Sequence, residues 1–102
     1  MKQLYSNKDK AMENVITEII PFDHQKSFYG KAKQIKHGRT YYLLSYSTVV
    51  CSVCNGIVKR YWSGYSVTTM KHINSFLKMY GLSGFSKNDW LKFPVSKLNK
   101  NI

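Results

Sequence analysis

Apolar residues recur at intervals of three and four between Asp9 and Ile20, where Ala11, Met12, Val15, Ile16, Ile19 and Ile20 fall along one helical face. Pro21 stops this pattern, because its ring removes a donor and crowds the preceding turn. A helix ending at Ile20 is the preferred reading; the β-branched run from Val15 to Ile20 would also suit a strand. The polar residues 1–10 read as a flexible arm. From Phe28 to Trp62 the period falls to two. Tyr29, Lys31, Lys33 and Ile35 share one face of the first segment, and Phe28, Ala32 and Gln34 the other. His37-Gly38 signals a turn, followed by strand-like runs over Thr40–Ser47 and Thr48–Val53. Asn55-Gly56 is a strong hairpin cue, because both residues tolerate the left-handed backbone a tight turn needs, and Ile57–Trp62 completes the hairpin.

The alternation ends at Ser63-Gly64-Tyr65. Ser66 is placed to cap a helix, along which Val67, Met70, Ile73 or Asn74, Leu77 and Tyr80 trace an apolar stripe with Phe76 beside it. Gly81 stands where a helix-ending glycine belongs. A short helical turn follows over Lys87–Leu91, and Pro94 ends it. These elements predict an α+β fold: a three- to four-stranded antiparallel sheet, one main helix at 66–80 packed on it, and an N-terminal helix. The expected organisation is an arm and helix at 1–26, a single domain at 27–95, and a polar tail at 96–102.

Composition narrows the partner. The 102 residues include 16 Lys and Arg against 5 Asp and Glu, a formal charge of +11. No carboxylate lies between His24 and Asn88, whereas a folded stretch of that length would ordinarily hold about eight. The segment therefore cannot supply a carboxylate pair, a Ser-His-Asp triad or an oxygen-ligand metal cage from its own residues. Its positive field suits phosphate, nucleic acid or an acidic protein surface. No apolar run is long enough to span a membrane. The polar start and the presence of Glu13 and Glu18 argue against a signal peptide. Two Cys are too few for a disulfide scaffold. The expectation is a cytoplasmic protein that binds and does not catalyse, with no cofactor and no metal.

Three places could carry chemistry. The first is the strand-to-helix junction, where Gly64, Ser66, Thr68 and Thr69 could cradle a phosphate at a helix start, with Arg60 as a fork donor and Trp62 and Tyr65 as stacking surfaces. The same residues equally suit a cap, a turn and packing beneath it. The second is Cys51-x-x-Cys54, half of a zinc knuckle whose other half is missing; the reading preferred is a buried Cys51 and a turn residue at Cys54. The third is His72, which lacks any carboxylate in the domain to orient it and reads as structural. Partner contact is assigned to Lys31, Lys33, Lys36, Arg39, Lys59, Arg60 and Lys71, with aromatic contact from Tyr29, Tyr41 and Trp62. The alternative is a pocket protein or small enzyme that takes an anionic nucleotide at the 60–72 junction.

Four strings carry a family resemblance: Ser27–Ala32, Tyr42–Val50, the Trp62-x-Gly64-Tyr65-Ser66-x-Thr68-Thr69 pattern, and His72–Leu77, with Trp90 and Pro94-Val95 fitting its end. Together they resemble an uncharacterised domain family found in small proteins of phages and mobile elements of Gram-positive bacteria. The resemblance covers roughly residues 27 to 95 and carries no catalytic residue with it. It implies a setting: a phage-type accessory protein in a bacterial host, of the kind that binds and disables host machinery such as CRISPR effectors. The expected partners are therefore DNA, RNA or a host nucleoprotein complex.

Overall fold

A computed structural model describes residues 15–19, 21 and 28–98. The arm expected over 1–10, and the part of the predicted helix before Val15, lie outside the described residues. Among the described residues five strands form one antiparallel meander in sequence order: β1 (Val15–Glu18), β2 (Ala32–His37), β3 (Thr40–Ser45), β4 (Thr48–Cys54) and β5 (Ile57–Arg60). Two helices follow, α1 (Val67–Met79) and α2 (Lys87–Lys92). The fold is α+β as expected, with five strands where three or four were predicted.

The extra strand is a correction. Val15–Glu18 pairs with β2, Ile16 opposite Ile35 and Glu18 opposite Lys33, so this stretch is strand and not helix. β-branched residues dominate it, and a waiting edge on β2 decides between two patterns that both fit. The sheet thus begins at Val15, ahead of the domain boundary drawn at 27. The strand is short, exposed along its length and carries Glu18, features that blunt an edge.

Local chemistry sets the turns. Asn55 and Gly56 have φ of 53° and 77°, the two left-handed positions of a type I′ hairpin. Tyr29 and Gly30 have the same signs, at 53° and 77°, and Lys31 N–H bonds back to the Phe28 carbonyl at 2.9 Å. Tyr29 and Lys31 therefore belong to a turn and bend before β2, not to its open face. Between β3 and β4 the register shifts at Leu43/Leu44: Leu43 faces Cys51 while Leu44 faces Val49. Val50 is the extra residue of a β-bulge, so Val50 and Cys51 both turn inward and both are fully buried.

The core lies between one sheet face and α1. Ala32, Leu43, Val50, Cys51 and Val53 from the sheet meet Met70, Ile73, Phe76 and Leu77, with Trp90 of α2 closing one end. Ile73, Phe76 and Leu77 have no exposed surface, and each such side chain contributes about 1.5–3 kcal/mol. Val67 leaves the predicted stripe, being 63% exposed. Ser66 caps α1, its hydroxyl accepting from Thr69 N–H at 3.0 Å. At the other end Gly81 N–H donates to Lys78 O and Leu82 N–H to Leu77 O, a Schellman closure around Gly81 at φ 72°. Ser86 caps α2 in the same manner as Ser66 caps α1.

Candidate nucleic-acid interface

The strand-to-helix junction is committed to holding the fold. Arg60 is 3% exposed. Its Nε donates to the Trp62 carbonyl at 2.8 Å, and its Nη1 donates to the carbonyls of Trp90 at 2.7 Å and Phe93 at 2.8 Å. The guanidinium lies 4.5 Å over the Trp90 ring. Burial lowers its pKa from the ordinary arginine value, and carbonyl dipoles at the end of α2 compensate the charge in place of a carboxylate. Past α2 the chain returns beside β5, with Val95 bridged parallel to Arg60 and Ser96 N–H bonded to the Arg60 carbonyl. Arg60 is thus a staple and not a surface cation.

The phosphate candidates are likewise engaged. A Cβ on Gly64 would meet the Trp62 ring at 2.6 Å, and the Gly64 carbonyl accepts from Trp90 Nε1 at 2.9 Å. The Ser66 hydroxyl is the cap described above. Thr69 Oγ1 sits 3.1 Å from Ser45 Oγ, inside the protein. Only Thr68 is exposed. The nucleotide pocket expected at 60–72 therefore has its fork donor and two of its hydroxyls bound elsewhere. Trp62 and Tyr65 pack against the core cluster, with Lys87 Nζ 4.9 Å over the Tyr65 ring.

His72 is structural. It is 1% exposed, its Nδ1 lies 2.8 Å from Ser45 Oγ, and the rings of Phe28 and Tyr46 pack on it at 4.6 and 5.7 Å. Burial, then the nearby Lys31 charge, lowers its pKa. Cys51 and Cys54 point to opposite faces of β4, one fully buried and one half-buried. Among the described residues no group of His, Cys, Asp or Glu could hold a metal ion.

The predicted contact residues do not share one surface. Lys36 is exposed on the α1 side of the sheet, 5.9 Å from the Tyr41 ring. Tyr41 itself packs on Tyr80 at 4.9 Å, and Tyr80 donates to Gln34 Oε1. Burial, with Tyr41 beside it, pushes the Tyr80 phenol up to about 12. Arg39 is exposed at the β2–β3 hairpin and Lys71 on α1. Lys31 is near His72, and Tyr29 is 69% exposed at its turn. Lys33 and Lys59 are the two that lie on the sheet face turned away from α1.

That face is where the register builds something the alternation alone did not reveal. Ile16, Ile35, Tyr42, Ser52 and Lys59 stand opposite one another in a row across all five strands. Neither described helix covers them. Towards β5 the face deepens into a cleft of about 260 Å³, lined by Thr40, Tyr42, Ser52, Cys54, Asn55, Ile57, Lys59 and Tyr61. Tyr42 and Ser52 form its floor at 7% and 2% exposure. Tyr61 stands beside them, its hydroxyl 2.8 Å from Ser52 Oγ and its ring 6.0 Å from that of Tyr42. Burial raises the Tyr42 pKa, helped by Tyr61 and Cys54 and opposed by a hydrogen bond with Thr40. The lining offers phenols, hydroxyls, an amide and one ammonium, and no carboxylate. The signal for it in the sequence was the alternation of Thr40 with Tyr42, Ser52 with Cys54, and Lys59 with Tyr61.

A family of unknown function, DUF8033, matches residues 16–92. The chain belongs to that family. No curated protein and no solved structure matches it. The DUF8033 match reaches back to Ile16 and so takes in β1, in agreement with the five-stranded sheet. Among the described residues no helix is long and apolar enough to cross a membrane.

Proposed function

We propose that this chain is a non-enzymatic protein that binds nucleic acid through its positive field. The observation that carries this reading is that every charged residue between His24 and Asn88 is a cation, and of those described only Arg60 is buried. The others surround the domain, on the hairpin tip, the uncovered sheet face and the outer side of α1. Long-range attraction of a polyanion needs no single patch. The uncovered face, with Lys59 beside Tyr42 and Tyr61, is the place where such attraction would turn into contact. An accessory role in a phage-type setting, disabling a host defence complex through the nucleic acid it holds, is one use of such a surface.

Fluorescence anisotropy with labelled oligonucleotides over about 50–200 mM salt tests the reading. Affinity should fall linearly on a log–log plot, with a slope near 0.7 for each phosphate neutralised on a single strand. Absence of binding at the lowest salt, or binding indifferent to salt, overturns it. Retention of a host protein after nuclease treatment, with no oligonucleotide binding, would identify an acidic protein surface as the partner instead.

A further inference from the structure

We infer that the cleft between β3, β4 and β5 seats one unpaired base, which makes the ligand a single-stranded polynucleotide and not a duplex; this rests on the nucleic-acid reading above. The cleft's size and lining both support it. At about 260 Å³ it falls below the roughly 300–1,000 Å³ of pockets that enclose drug-sized ligands, so it suits one planar ring with its sugar and phosphate left outside. Tyr61 supplies a half-buried aromatic wall, and any base has a face that stacks on such a ring. Asn55 presents an exposed amide to a base edge, which in a duplex is already paired, and the hydroxyls of Thr40 and Ser52 lie in the same lining, bonded to Tyr42 and Tyr61. Lys59 is exposed at the rim, placed for the phosphate of the seated nucleotide. Neither described carboxylate lines the cleft: Glu18 is on the far edge strand and Asp89 on α2. Lys33, two strands from β4 on the same face, stands opposite Glu18 and so adds little to the attraction that Lys59 supplies.

The test compares a heptamer of uridine, a heptamer of thymidine and a duplex of equal length, by anisotropy at one fixed salt and by amide shifts in ¹H–¹⁵N spectra. Single strands should bind on the order of ten-fold tighter than the duplex, with shifts concentrated at Thr40–Tyr42, Ser52–Asn55 and Ile57–Tyr61. Tyr61→Leu should weaken single-strand binding on the order of ten-fold and leave duplex binding unchanged. Lys59→Ala, on an exposed side chain, provides a second variant that should fold normally and weaken single strands preferentially. Preference for uridine over thymidine, or the reverse, would show that the site senses the 2′-hydroxyl or the 5-methyl group by which the two differ, and either supports the site. Equal affinity for duplex and single strand, with shifts scattered over α1 and the hairpin tip, would overturn the base site while leaving electrostatic binding intact. No binding of any strand overturns both.

Discussion

Replacing Arg60 with methionine keeps the length of a buried stem and removes every donor. The Trp90 carbonyl would still accept from Phe93 N–H at 3.1 Å, but the carbonyls of Trp62 and Phe93 would lose Arg60 as their donor. Each buried acceptor left unsatisfied costs about 1–3 kcal/mol. The lost stacking on Trp90 adds to this, and relief from burying a charge offsets part of it. The net expectation is a destabilisation of about 3 kcal/mol. That is a large share of the 5–15 kcal/mol typical of a domain. With a urea m-value of about 1.5 kcal/mol/M the unfolding midpoint should fall by about 2 M. The loss should be local first: tryptophan emission should shift to the red before the far-ultraviolet signal of the sheet changes, because Trp90 and the chain beyond it are what Arg60 holds. Arg60→Lys should fall between, since an ammonium can reach one or two of the carbonyls but cannot fork across them. A midpoint shift below about 0.5 M for Arg60→Met, with unchanged emission, would refute the staple.

Acidification should destabilise the protein through His72: its folded pKa lies below the unfolded value of 6.5, so the unfolded chain binds the proton more readily, and stability falls as pH drops below about 6.5. The urea midpoint measured from pH 7.5 to 5 checks this, and His72→Phe should flatten that part of the profile. Gly64→Ala should cost about 1–3 kcal/mol, because its Cβ would press on the Trp62 ring at 2.6 Å; thermal unfolding reads it directly. A thiol reagent should titrate Cys54 in the native protein and reach Cys51 only on denaturation, since Cys51 is fully buried and burial pushes its pKa up.

Much of this architecture is legible in the sequence. Period-two alternation located β2 to β5, the Asn55-Gly56 pair located a turn that needs two left-handed residues, and Ser66 and Gly81 bracketed α1. These signals are local, so sequence carries them. What escaped depended on distant partners. Val15–Glu18 fits helix spacing and strand composition equally, and only pairing with β2 decides. Arg60 ends an alternating strand as a surface cation would, and only the arrival of α2 turns it inward. The contact list drawn from charge mixed residues of several surfaces, because a cation's sign says nothing about which face it occupies. The cleft was missed because its walls come from three strands whose mutual register no single strand encodes.

That register turns on the bulge at Val50. One surplus residue in β4 changes the parity of everything after it: beyond that point Ser52 and Cys54 look outward and Val53 inward. Removing Val50 itself would leave Val49 opposite Leu44 and Cys51 opposite Leu43 in an unbroken ladder, so every outward residue of β4 would stay outward. The surplus residue is therefore what lets the chain spend one more side chain on the core without turning the cleft over. Relatives of this chain with β4 one residue shorter at this point should keep the same outward surface.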